Sequence, residues 1–410
     1  MPKHRWMGHA AAMLLLAATL ALGGCRGILD VKNPQDVDAT LFDDPSSADL
    51  IRLSAIGDFQ CAFANYALVS AMWTGEVVRA IDNITYQQWS QRQIEPENST
   101  LIGSCSSMWG TFRVLQTARV QSEEAMRRYA EWNLDTRDAM TAQVAAYAGY
   151  SILLLAESYC ELSFDGGPLQ TRQQALQRAD ERFTTAIAAA TAVGDAATLN
   201  LALMGRARTR LNLGRGAEAV ADAELVPRGF VLYSEGGASG ATTRSNWFWQ
   251  LINNSSNITV PEDYRGLQFD GVTDPRVSAA YSGHQSINGV PVWNQLKYPA
   301  RISDIPLAKW EEAQLIIAEV EGGETAVDII NDLHDDAGLP HFASTDPDEI
   351  RAQVIEERRR ALWLEGKRLG DMLRLGVPFP QGTDYQGMEI HTQTCIPLPK
   401  VERVGNPNID

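Results

Sequence analysis

The run IRAQVIEERRRALWLEGKRLGDMLRLG, Ile350 to Gly376, places charges where a helix should be apolar. Projected at about 100° per residue, Ile350, Val354, Ile355, Ala361, Leu362, Leu369, Met372 and Leu373 share one side, and Arg358 and Glu365 fall within that arc. An ion on a packed face costs several kcal/mol, comparable with the whole stability of a fold, unless an opposite charge and hydrogen bonds compensate it. Arg358 and Glu365 are therefore predicted to pair with each other or with a neighbouring helix, as structural ion pairs and not reactive groups.

The same run carries a recognisable spacing: Glu357-Arg358, then Glu365-Gly366, Arg368, Asp371 and Arg374. Upstream, Glu311 to Glu319 is followed by Asn331 and Ala337-Gly338; downstream come Ile396-Pro397-Leu398-Pro399 and Asn406-Pro407. Together these resemble the C-terminal region of the SusD/RagB-like family of outer-membrane nutrient-uptake lipoproteins. Ala361 departs from the pattern, standing where the family usually carries a second Glu before Leu362. Motif agreement covers about the last quarter of the chain and the N-terminal leader. The resemblance implies a mainly α fold that captures oligosaccharide or another bulky nutrient, works with a TonB-dependent, SusC-like barrel, and needs neither cofactor nor catalytic residue.

The leader supports this independently. Lys3 and Arg5 precede an uncharged apolar stretch, Ala10 to Leu22, and Leu22-Gly23-Gly24-Cys25 forms a small-residue cleavage site ending in cysteine. The stretch falls short of the roughly 20 residues that span a bilayer. Residues 1–24 are read as a lipoprotein signal, Cys25 as the lipidated residue, and 25–45 as a tether, which expects an outer-membrane, surface-exposed body held by lipid. An ordinary secretory signal with an incidental cysteine is the alternative. No later segment is apolar enough to cross a membrane; Tyr147 to Tyr159 is interrupted by Gly149, Ser151, Glu157 and Ser158.

Charge excludes one class of partner. The chain carries a net charge of −16, and losing Lys3 and Arg5 with the signal makes it more acidic, which argues against nucleic acid. After Cys25, Cys61, Cys105, Cys160 and Cys395 remain, an even set in a disulfide-permissive compartment. Three pairings are open, as are four buried thiols. Cys61 with Cys105 and Cys160 with Cys395 is favoured, because Cys160 ends an apolar helix and Cys395 precedes the closing Pro397-Leu398-Pro399 segment. No zinc-site spacing occurs. The cluster Asp332, His334, Asp335 and Asp336 is expected to be a solvated helix end and not a metal site.

Residues 46–410 read as one domain, mostly helical, with a scaffold at about 106–226 and 307–376. Helices are predicted from Ser46 or Ser47 to about Asn65, Ser106 to Trp132 and Thr136 to Leu162, and three more between Gln173 and Val226 with breaks at Val193-Gly194-Asp195 and Leu213-Gly214-Arg215. Gly214, Ala219 and Ala207 resemble a tetratricopeptide turn, so a stacked helix-pair scaffold is expected. From about 227 to 306 glycines and prolines break any period, and aromatic residues such as Trp247, Phe248, Trp249, Tyr264, Phe269, Tyr281, Trp293 and Tyr298 argue for a long irregular binding region with short strands.

Flat rings can lie against the apolar face of a sugar while amides bond its hydroxyls. Trp247, Trp249 and Trp293, with Asn253, Asn254 and Asn294, are the candidate platform; Trp73, Trp89 and Asn83 rank second. Large aromatics in loops also serve simply to anchor the loop. Neither HExxH, a Walker loop nor GxSxG is present. Two further readings stay open: a helical-repeat envelope scaffold without a small-molecule ligand, and a glycosidase, whose facing carboxylates leave no local signature.

Overall fold

The computed structural model describes residues 43–134, 136–237 and 244–409. The predicted signal, Cys25 and nearly all of the tether lie outside the described residues. Two compact units divide the chain, 1–47 and 48–410. Within the first, a short turn at Pro45–Ser47 is closed by the Ser46 amide donating to Asp44 Oδ1 at 2.8 Å.

The second unit is mainly helical. Helix α1, Ala48–Thr74, runs past the predicted end at Asn65 because Phe59 to Thr74 is mostly apolar and is buried throughout. It stops at Gly75, whose φ of +76° ends the helix without a Cβ penalty. After the short helix α2, Ile84–Ser90, come α3 (Phe112–Trp132), α4 (Arg137–Ser158), α5 (Arg172–Val193), α6 (Ala196–Asn212) and α7 (Gly216–Ala223), each packed on the next. Helix α3 starts six residues later than Ser106, as the loop before it is pinned: a Cβ on Gly110 would sit 2.1 Å from the Thr100 carbonyl oxygen. Helix α5 is opened by a reciprocal bond pair between Thr171 and Gln174 and closed by Gly194 at φ +69°.

Helix α4 is long and apolar enough, by length and composition, to cross a membrane, yet it is the hub of the core, with Val144 to Ser158 all buried. Gly149 on α4 and Gly205 on α6 grip one ring from both sides. A Cβ at either would come within 2.8 or 2.3 Å of Phe183, so only glycine lets α5 approach both helices this closely.

Residues 227–306 hold the irregular region, framed by four antiparallel strand pairs among the described residues. Strand β1 (Val78–Arg79) pairs with β3 (Ile258–Thr259), β2 (Val231–Ser234) with β8 (Ile305–Lys309), β4 (Gln268–Phe269) with β5 (Val272–Thr273), and β6 (Ala279–Gln285) with β7 (Pro291–Gln295). A π-helical turn, Trp249–Asn254, lies against β7. The chain then returns to helices α8 (Trp310–Glu321), α9 (Gly323–Ala337), α10 (Pro347–Ala361) and α11 (Arg368–Leu375).

Two disulfides tie distant segments. Cys61 on α1 bonds Cys105 in the loop before α3, with Cα atoms 5.6 Å apart; Cys160 bonds Cys395, 235 positions away, with Cα atoms 5.2 Å apart. Beside the second, the Cys160 amide donates to the Ile396 carbonyl at 2.9 Å, stitching the closing segment to the end of α4.

Candidate ligand-binding face

The run from Ile350 to Gly376 is two helices and not one. Between them the backbone turns over through Leu364, at φ +58°, and Gly366, at φ +68°. A Cβ on Gly366 would press on the Tyr66 ring at 3.2 Å, so the turn packs tightly against α1. This turn separates Arg358 from Glu365, and the two do not pair with each other. Arg358 donates to both oxygens of Asp371 at 2.9 and 2.7 Å and lies 3.7 Å from Glu319. Arg374 bonds Asp371 and Glu319 as well. Burial would raise the Asp371 carboxyl, but Arg358 and Arg374 outweigh it and hold it at about 2.

Glu365 answers a different pair. Lys297 and Lys309 both donate to its Oε1, at 2.7 and 2.8 Å, from the irregular region and from β8. Here too burial alone would raise the carboxyl; the two ammonium groups overcome it and hold the value below the ordinary one. Next to it, Glu157 on α4 is bonded by Arg208 Nε at 2.8 Å and by Asn212 at 2.8 Å, while Glu312 pairs with Lys367 at 2.9 Å. Gly370 makes room for Glu157, since a Cβ there would fall 2.7 Å from the carboxyl carbon. This charged layer fastens α4, α6, α8 and α11 to one another.

One member of the layer titrates near neutrality. Glu76, 1% exposed, accepts from the Leu364 amide at 3.0 Å. Burial lifts its carboxyl to about 7, against the lowering effects of the Leu364 amide, Arg368 and Lys297. A folded value above the unfolded one gives stability that is full below the unfolded value and is lost as pH rises through about 7. Native protein is expected to lose on the order of 3 kcal/mol relative to Glu76→Gln between about pH 5 and about pH 8, read by urea denaturation at each pH. Parallel pH profiles for the two proteins would contradict this.

The aromatic candidates separate into core and surface. Trp73 and Trp89 are fully buried, their rings edge to face at 5.9 Å, with indole N–H groups donating to the Thr394 carbonyl and to Thr100 Oγ1, each at 3.1 Å. Trp247 is 6% exposed and donates to Asn65 Oδ1 at 2.9 Å. These three cannot lie against a ligand: their apolar bodies fill the core, and each polar tip has its partner inside. Asn83 caps α2 by accepting from the Thr85 and Tyr86 amides, and Asn253 is locked to Gln295 by two hydrogen bonds.

Trp249 and Trp293 remain half-buried, on the π-helical turn and on β7. Asn294, beside Trp293, is half-buried, and its Oδ1 is enclosed without a hydrogen-bond partner. Tyr281, directly across the hairpin from Trp293, is 50% exposed, with ring centroids 6.0 Å apart. The hairpin is anchored at its far end, where Ser286 Oγ donates to the Ala80 carbonyl at 2.5 Å and the Asp82 amide donates to Asn288 Oδ1 at 2.7 Å. Arg265, which no sequence pattern singled out, lies over the Trp293 ring with Cζ 4.8 Å from its centroid. A separate cleft of about 470 Å³ opens beside Tyr233, Leu296, Lys297 and Glu365.

The acidic cluster at the end of α9 differs from its expected setting at one residue. Asp332 and Asp336 pair at the surface with Arg228, at 2.5 and 2.8 Å, but His334 is fully buried, its ring nitrogens 2.6 Å from the Pro340 carbonyl and 2.9 Å from Glu357. Among the described residues, no group of three or more His, Cys, Asp or Glu is placed to hold a metal ion.

The mainly helical scaffold with its excursion of short strand pairs defines the SusD-like class of fold. A SusD superfamily protein from Bacteroides vulgatus, 14% identical, superposes with a TM-score of 0.70 over 90% of this chain and 98% of its own. One from Parabacteroides distasonis, also 14% identical, gives 0.69 over 92% and 99%. Surface glycan-binding protein A of Bacteroides thetaiotaomicron, solved with laminarihexaose, gives 0.66 at 13% identity over 89% and 98%. Residues 301–400 match the family model described as the SusD family. Residues 301–400 thus resemble the SusD family in sequence, and the fold of the chain is SusD-like. No curated protein matches its sequence.

Proposed function

We propose that this protein is a lipid-anchored, outer-membrane substrate-binding protein that captures an oligosaccharide or another bulky nutrient and passes it to a TonB-dependent, SusC-like barrel. The observation that carries the reading is the likeness, over nearly the whole of both chains, to a surface glycan-binding protein solved with a glucan oligosaccharide. Supporting it, half-buried Trp249 and Trp293 and exposed Tyr281 supply aromatic surface on or beside a hairpin anchored at its tip. The leader and Cys25 support the lipid anchor and the location. Binding and release need no catalytic residue, only surfaces whose contacts differ between the free and the barrel-bound states.

Trp249→Ala is expected to weaken binding of the preferred oligosaccharide about tenfold while leaving the melting transition in place, as read by isothermal titration and thermal denaturation. Unchanged affinity in a folded variant would remove this face from the reading. Affinity purification from solubilised outer membrane tests the partner: recovery of a large β-barrel supports delivery, and recovery of soluble envelope proteins alone overturns it.

A further inference from the structure

Seven arginines stack on aromatic rings among the described residues. In six of them the terminal guanidinium nitrogens are already engaged: Arg228 by Asp332 and Asp336, Arg359 by Glu356, Arg92 by main-chain carbonyls, and the others by carboxylates. Arg265 is the exception. Its Nε donates to the Val260 carbonyl at 2.9 Å, and neither terminal nitrogen has a hydrogen bond or ion pair with a described residue. Glu262, exposed, is the nearby carboxylate that acts on it, without a contact.

The group is held, not loose. Val260, whose carbonyl takes the Arg265 Nε, donates its own amide to the Trp293 carbonyl at 3.2 Å, and the Trp293 amide donates to Thr259 Oγ1 at 2.8 Å. One bonded unit thus fixes both the cation and the ring beneath it. A guanidinium with Nε occupied and both terminal N–H groups free presents a planar fork of the shape that bonds a carboxylate through two parallel hydrogen bonds. Its charge is not a by-product of a basic surface, since the chain as a whole carries −16.

We infer that Arg265, seated on Trp293 beside Tyr281, binds the carboxylate of an acidic sugar, so that the glycan taken up contains uronic acid residues. This rests on the sugar-binding reading above and narrows it. Arg265 covers a face of Trp293, and the sugar ring would meet Tyr281 while its carboxylate meets the guanidinium.

The test compares oligogalacturonate and alginate oligosaccharides with methyl-esterified oligogalacturonate and with neutral laminari-oligosaccharides, by isothermal titration against the full chain. A carboxylated glycan is expected to bind at least about tenfold more tightly than its ester or the neutral set, with affinity falling as salt rises. Arg265→Gln should bring the charged and uncharged forms level, and Arg265→Lys should restore part of the difference. Equal or tighter binding of neutral glycans by the native protein overturns this inference and leaves the sugar-binding reading standing, as does a preference for the acid that survives in Arg265→Gln. Failure of every glycan, charged and neutral, overturns both. The acid-against-ester comparison on native protein decides the matter even if a variant does not fold.

Discussion

Glu365→Gln is expected to destabilise the protein by about 3 to 5 kcal/mol, because it leaves two buried ammonium groups facing an amide. Lys297 and Lys309 converge on one oxygen of this carboxylate, and their side chains are only 20% and 12% exposed, so water cannot replace the lost charge. Equilibrium urea denaturation should show a lower midpoint with an unchanged slope. Adding Lys309→Met should recover part of the loss, since Lys297 then no longer faces a second buried cation. The pH dependence has the opposite sign to that of Glu76. A folded value held below the ordinary one gives stability that is present above the unfolded value and lost as pH falls through the folded one. Native protein should therefore weaken in acid more steeply than the variant. A variant as stable as its parent would show that the shared carboxylate is not what holds β8 to the turn between α10 and α11.

Arg208→Met should cost a similar amount, about 3 to 5 kcal/mol, by a different route. Arg208 is 4% exposed and binds Glu157 through two nitrogens, with Glu312 at 3.7 Å. Without it Glu312 keeps Lys367, but Glu157 is left with the Asn212 amide and the Tyr66 hydroxyl, and among the described residues no other cation is in contact with it, Arg172 acting only from a distance. The methionine fills much of the space, so the loss reports the stranded charge more than a cavity. Arg208→Met with Glu157→Gln should then be more stable than Arg208→Met alone. If the double variant is the weaker of the two, the charge is not the cause.

Much of this scaffold is legible because its determinants are local. Gly194 and Gly214 break the helical period where α5 and α6 end, and the Gly- and Pro-rich stretch after Pro227 becomes the irregular region of short strands. Charge on the packed side of Ile350 to Gly376 shows that buried pairing is needed. Who pairs with whom does not follow, because Lys297 and Lys309 are more than 50 positions before Glu365 and the reversal at Leu364 falls on a residue that disfavours it. The tryptophans mislead for a related reason. Burial of Trp73, Trp89 and Trp247 is decided by whether a distant carbonyl, hydroxyl or amide receives the indole N–H, which composition does not reveal. Arg265 leaves no trace in the sequence at all: its neighbour Trp293 is 28 positions away, and its distinction is a partner that it lacks.

The Cys160 to Cys395 bridge makes most of the molecule a closed covalent loop, with α5 to α11 and the whole β6–β7 hairpin strung between its two ends. A protease nicking any exposed turn inside that loop would not release a fragment. Both halves would travel as one species on a gel until a thiol reductant parted them, and the irregular region would stay fastened to the helix that founded the core.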